Sequence, residues 1–174
     1  MAGLVKTITS SGFEVKAGQL ATVLGSGATA MSAIRGLGQM GFAQVNLCGR
    51  NQGAKEKLLA IATAANLRVD FFDLAEVGSL LDSPLVISTW PGDVAGQLVA
   101  PALGSKSAGL GLLVDVTYHP WPSPLARAWF SAGGEVIGGL DLLVNQAVFQ
   151  IEAATGQSVS LPVLREAVGL PRHS

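Results

Sequence analysis

Leu20-Ala21-Thr22-Val23-Leu24-Gly25-Ser26-Gly27-Ala28-Thr29-Ala30 is the stretch on which the fold turns. Its first five residues are an almost unbroken apolar run closed by glycine, the pattern of a short buried strand. Residues 29–39 then carry Met31, Ile34 and Leu37 near helical spacing. A strand passing through Gly-x-Gly-x-x-Ala into a helix suits a phosphate-binding turn. Gly25 allows the tight bend, Gly27 lets a pyrophosphate approach the backbone, and Ala30 lets the helix pack closely on the strand. The helix start adds free N–H groups and partial positive charge. The same turn also occurs for packing alone, so the flanking chain has to decide.

Outward from that stretch the alternation repeats. Residues 45–47, Arg68–Phe72, Leu85–Ser88, residues 112–116 and Val136–Ile137 read as further strands. Helical patterns cover residues 54–65, Leu74–Leu80, 94–99, Pro124–Ser131 and 140–154, the last with Leu143, Ala147 and Ile151 inward and Val144 and Val148 flanking. Short apolar strands alternating with helices predict a parallel sheet covered on both faces. Six of them predict an α/β Rossmann-type doubly wound sheet in the order 3-2-1-4-5-6.

Composition narrows the class. The chain has 174 residues, a net charge of -1, 49% hydrophobic and 13% charged residues. That is enough for one well-filled domain and excludes a disordered tail or a polybasic nucleic-acid arm. One cysteine, Cys48, and two histidines, His119 and His173, exclude a disulfide framework and a cysteine- or histidine-rich metal site. Mean hydropathy is +0.45, yet the longest charge-free stretch, residues 17–34, is broken by glycines and hydroxyl residues and does not read as a membrane span. No signal peptide is visible, and a cytoplasmic protein is expected.

The exit of the second strand bears on cofactor choice. An NAD site carries an acid there, about 20 residues past the glycine loop, to bind the ribose 2′-hydroxyl. Here the segment is Cys48-Gly49-Arg50-Asn51, with no acid until Glu56. Arg50, supported by Lys55, suits a 2′-phosphate through charge-assisted hydrogen bonds; the alternative is a solvated arginine at a strand end. NADP is the expected cofactor.

These residues, read with those downstream, resemble the NADP-binding domain of the shikimate dehydrogenase family. Gly25 to Ala30 matches the family's glycine loop, with Ala28 in place of its extra glycine. Gly49-Arg50-Asn51 is similar to its Asn-Arg-Thr signature, and its second basic residue falls near Ala54, beside Lys55. Ile87-Ser88-Thr89-Trp90-Pro91 resembles the segment along the cofactor. Asp115-Val116-Thr117-Tyr118-His119-Pro120 with Ser123-Pro124-Leu125 resembles Asp-x-x-Tyr-x-Pro…Thr-Pro-Leu. Residues 139–147 resemble Gly-x-x-Met-Leu-x-x-Gln-Ala, with Leu142 for the methionine.

The resemblance implies a site. Gly25, Ser26, Gly27, Ala28, Thr29, Arg50, Asn51, Lys55, Ser88, Thr89, Trp90, Val116 and Gly139 would bind the cofactor, and Tyr118 and Gln146 would face the substrate, shikimate or 3-dehydroshikimate. Asp115 is expected to bond its own loop. The family's catalytic Lys and Asp belong to an N-terminal substrate domain. Residues 1–16 would be the remnant of the helix connecting it, and residues 157–174 a C-terminal helix and tail. The expectation is therefore a single NADP-binding domain that lacks its substrate domain, catalyses negligibly alone and self-associates weakly through the uncovered face. Two alternatives stay open: a quinate/shikimate dehydrogenase using NAD, and a non-catalytic dinucleotide-binding module.

Overall fold

Every residue of Leu85–Ser88 and Leu112–Asp115 is buried, as befits strands covered on both faces. They are β4 and β5 of a sheet that also contains β1 (Leu20–Leu24), β2 (Gln44–Cys48), β3 (Arg68–Phe72) and β6 (Val136–Ile137). All pairings are parallel, in the order β3-β2-β1-β4-β5-β6. The sheet belongs to a computed structural model that describes residues 2–16, 18–50, 52–104 and 109–170, except for the side chain of Gln52. The doubly wound Rossmann-type order expected from the alternation is the one observed.

One face is covered by α1 (Ala2–Ser10), α2 (Ala28–Gln39), α3 (Lys55–Ala64) and the start of α6 (Gly139–Thr155), which bury Leu4, Ile8, Ile34, Leu37, Leu58 and Leu142. The other is covered by the turn Leu74–Leu80, α4 (Gly92–Leu103) and α5 (Pro124–Ser131), around Leu80, Val99, Leu103, Leu125 and Trp129. A short α7 (Leu161–Ala167) lies against α6, where Arg165 pairs with Asp141 at 2.7 Å. Trp129 is fully buried, and its indole N–H donates to the Gly111 carbonyl at 3.1 Å, so the ring fills the core without stranding a polar atom.

Two local expectations change. Leu74–Leu80 keeps its bounds but winds as a 3-10 helix. Helix α6 turns a different face inward. Gly139, Leu142, Val144 and Asn145 are buried, whereas Leu143 is 42% exposed and Ala147 and Ile151 are only half-buried. The cause is α1, which runs along α6 in the opposite sense. A Cβ at Gly3 would overlap the Gln146 side chain, and Ser10 and Ser11 share a cavity with Asp141 and Asn145. Helix α6 scatters polar side chains (Asp141, Asn145, Gln146, Gln150, Glu152) among its apolar ones, so its own periodicity marks no clear inward face and its neighbour decides it. Among the described residues no helix is long and apolar enough to cross a membrane.

Candidate functional site

The carboxyl ends of β1 and β4 meet where the strand order reverses, the place where open α/β sheets bind ligands. Gly25 leaves β1 with φ +122°, and a Cβ there would overlap the Thr89 hydroxyl. Its N–H donates to the Cys48 carbonyl at 2.7 Å, so the loop is tied to the end of β2. Gly49 closes the same junction, since a Cβ on it would lie 2.8 Å from Ser26 Oγ. Gly27 precedes α2 in open space, with nothing within 4 Å of a would-be Cβ. Ala28 and Thr29 are exposed, no side chain caps the helix, and no acid stands in its first turn. The first-turn N–H groups thus face outward with no carboxylate opposing an anion. Ala30 is fully buried, the close packing that a small residue permits. This cradle fits a dinucleotide pyrophosphate.

At the β2 exit Cys48 is buried and Arg50 exposed. No carboxylate pairs with Arg50 among the described residues. Asn51 lies outside them. Ala54, where the resemblance puts a second basic residue, is buried; Lys55 is exposed, its ammonium 4.8 Å from the centre of the Phe71 ring. The structure also brings two acids to this edge that linear spacing did not show. Pairing of β2 with β3 places Asp73 and Glu76 within electrostatic reach of Cys48, whose thiol donates to the Asp73 carbonyl at 3.4 Å. The Glu76 carboxylate accepts from the Asp73 backbone N–H at 2.9 Å, so it is engaged in starting the 3-10 turn.

Burial, then the charges of Glu76 and Asp73, push the Cys48 thiol up from 9.0 to about 11. A group whose folded-state pKa is raised gives its stability below the unfolded value and loses it as pH climbs through the folded one. Cys48 should therefore contribute fully below pH 9.0 and lose on the order of 2 kcal/mol as pH rises through about 11. Urea unfolding at stepped pH checks this: the stability gap between wild type and Cys48→Ala should narrow across that window. A gap that stays constant would mean the thiol ionises without penalty.

The β4 exit is more closed than the sequence suggests. Ser88 is fully buried and its hydroxyl has no hydrogen-bond partner among the described residues. Its carbonyl accepts from the Val116 N–H at 3.1 Å. Thr89 spends its hydroxyl on the Leu24 carbonyl at 2.9 Å, locking β4 to β1. Trp90, largely buried, and Thr89 open on one side into a cavity of about 530 Å³ whose far wall is Val116, Thr117 and Tyr118. Tyr118 is 60% exposed there. Behind the wall, Asp115 is buried and accepts from the Thr117 N–H at 3.0 Å and the Ser123 hydroxyl at 2.5 Å. Ser123 Oγ in turn accepts from the Ala126 N–H and caps α5. Gly139 supports the wall from below: its N–H donates to the Thr117 carbonyl at 3.1 Å, and a Cβ would overlap the Val116 carbonyl.

Gln146 occupies a second cavity, of about 420 Å³, shared with Gly3 of α1, Ala28, Thr29 and Ser32 of α2, and Phe149. Tyr118 and Gln146 thus line separate hollows. Among the described residues no cluster of three metal-ligating side chains occurs.

No protein-family model matches the chain. Sequence comparison finds relatives named shikimate dehydrogenase (NADP(+)) from Synechococcus, 32% identical over 157 residues, and from Microcystis aeruginosa, 27% identical over 157 residues. The solved Mycobacterium tuberculosis shikimate dehydrogenase superposes with a TM-score of 0.80 at 32% identity, covering 95% of this chain. The chain is a homologue of the shikimate dehydrogenases. This homologue covers 53% and 54% of those two curated relatives and 60% of the solved chain, so it spans somewhat over half of a shikimate dehydrogenase of that kind. Its glycine loop, its β2 exit as far as Arg50 and its Tyr118 wall lie within residues the structure describes.

Proposed function

We propose that the chain is the NADP-binding part of a shikimate dehydrogenase, the enzyme class that interconverts 3-dehydroshikimate with NADPH and shikimate with NADP⁺. The observation that carries this reading is the β1–α2 cradle at the strand-order reversal, bordered by exposed Arg50 in place of an acid. When bound, the cofactor supplies a hydride at its nicotinamide. The chain's own residues do the positioning. The first turn of α2 takes the pyrophosphate, Arg50 and Lys55 take the 2′-phosphate, and Thr89, Trp90, Val116 and Gly139 shape the slot beside the nicotinamide. Tyr118 and Gln146 face the substrate from the two hollows they line, the phenol donating or accepting and the amide doing both towards ring hydroxyls. The proton that accompanies the hydride is handled by a Lys/Asp pair that this reading places in the substrate domain.

Calorimetric titration of the 174-residue chain tests the proposal. NADP⁺ should bind measurably and NAD⁺ more weakly, while a mixture of NADPH and 3-dehydroshikimate should show no turnover. Absence of nucleotide binding would reduce the glycine loop to a packing device. Turnover by the chain alone would overturn the division of labour. The proximity of Asp73 and Glu76 to the β2 exit favours a second reading, an NAD-using quinate/shikimate enzyme; preference for NAD⁺ would select it.

A further inference from the structure

Lys55 is the first residue of α3, where the helix dipole disfavours a cation. Its long flexible stem would also spread the ammonium over many positions. Yet the ammonium sits 4.8 Å from the centre of the Phe71 ring. Phe71 pairs with Leu47, one residue before the end of β2, and is half-buried against the core under α3. The ring is therefore fixed by packing, while the lysine above it is mobile by nature. No carboxylate pairs with Lys55 among the described residues, so the ring is its counterpart. An ammonium facing a ring with one side keeps donors free for oxygen atoms on the other.

We infer that Phe71 is a positioning residue for the 2′-phosphate of the cofactor, holding the Lys55 ammonium beside the β2 exit so that Arg50 and Lys55 grip the phosphate together. Ala54 is buried and carries no charge, so the second cation of this edge comes from Lys55, and its aim comes from a residue on the neighbouring strand. The inference rests on the proposed preference for NADP.

Adenosine 2′,5′-bisphosphate and 5′-AMP, titrated separately into the chain, isolate the 2′-phosphate from the rest of the cofactor. Phe71→Leu should weaken the bisphosphate about three- to fivefold, the loss expected of one cation–π contact, and leave 5′-AMP unchanged. Phe71→Tyr, which keeps a ring face, should restore the affinity. In a Lys55→Met background Phe71→Leu should cost nothing further, which a purely structural role of the ring would not produce. Equal losses for both nucleotides, or the same loss with Lys55 already removed, would overturn the role of Phe71. If Arg50→Ala abolishes preference for the bisphosphate while Lys55→Met leaves it intact, this inference fails and the NADP reading stands. A wild-type chain that does not prefer the bisphosphate would overturn both.

Discussion

Arg50→Ala is expected to lower the affinity for NADP⁺ roughly ten- to a hundredfold, equivalent to about 1.5–3 kcal/mol for a hydrogen bond to a charged group. NAD⁺ affinity should stay within a factor of two or so, because the interaction lost involves only the 2′-phosphate. Three features support so large and selective an effect. Arg50 is exposed and has no carboxylate partner among the described residues, so binding breaks no existing ion pair. It leaves the sheet directly after Gly49, whose close approach to Ser26 keeps the β2 exit beside the glycine loop. Of the acids brought to this edge, Glu76 is engaged with the Asp73 backbone N–H at the start of the 3-10 turn and not with Arg50. Because Arg50 is exposed, its removal should leave the melting temperature unchanged, which separates loss of binding from loss of fold. Parallel calorimetric titrations with both cofactors provide the measurement. Equal losses for NADP⁺ and NAD⁺ would remove Arg50 as the phosphate reader.

Asp115→Ala should cost about 3 kcal/mol of stability, lowering the melting temperature by roughly 6–12 °C for a chain of this size. The carboxyl is fully buried at the end of β5 and satisfies two donors, the Thr117 N–H and the Ser123 hydroxyl. Alanine strands both, and buried donors without acceptors lose the solvation they had in the unfolded chain. The damage spreads, because the Ser123 oxygen also caps α5 and an N-cap is itself worth about 1 kcal/mol. Asp115→Asn, which retains one acceptor oxygen, should lose less. Thermal unfolding followed by circular dichroism gives the ranking. A shift under about 2 °C for the alanine variant would show that water replaces the carboxyl at little cost. Since the same bonds hold the wall carrying Tyr118, solvent quenching of Tyr118 should increase in Asp115→Ala below its melting point.

What the chain encodes locally is legible in its sequence. The largely apolar runs of β1 and β4, the glycine turn into α2, and Ser123-Pro124 opening α5 are short-range signals, decided by side-chain periodicity, turn geometry and capping. They sufficed for six parallel strands, because alternation implies a parallel sheet, and the glycine turn after β1 selected the dinucleotide-type order among the doubly wound ones. The basic character of the β2 exit was legible for the same reason: Arg50 lies one residue past a glycine that ends a strand. Burial of Ser88 was less so. Its hydroxyl reads as available in sequence, but β1 and β5 flank it and the elements covering both faces of the sheet seal it.

Contacts between elements distant in sequence were decided by the tertiary structure. The inward face of α6 depends on Gly3 of α1, which meets Gln146 from far back in the sequence, because a helix whose polar and apolar residues are scattered carries no clear phase of its own. The approach of Asp73 and Glu76 to Cys48, and of Lys55 to Phe71, depends on β3 pairing with β2. The separation of Tyr118 and Gln146 into two hollows depends on where α1 and α2 meet α6. Sequence alone determined the elements and the glycine turn between β1 and α2, since those rest on bonds and periodicities within a few residues. Only the folded chain decided which charges share an edge and which donors are spent on the protein itself, since those depend on strand adjacency and the exclusion of water.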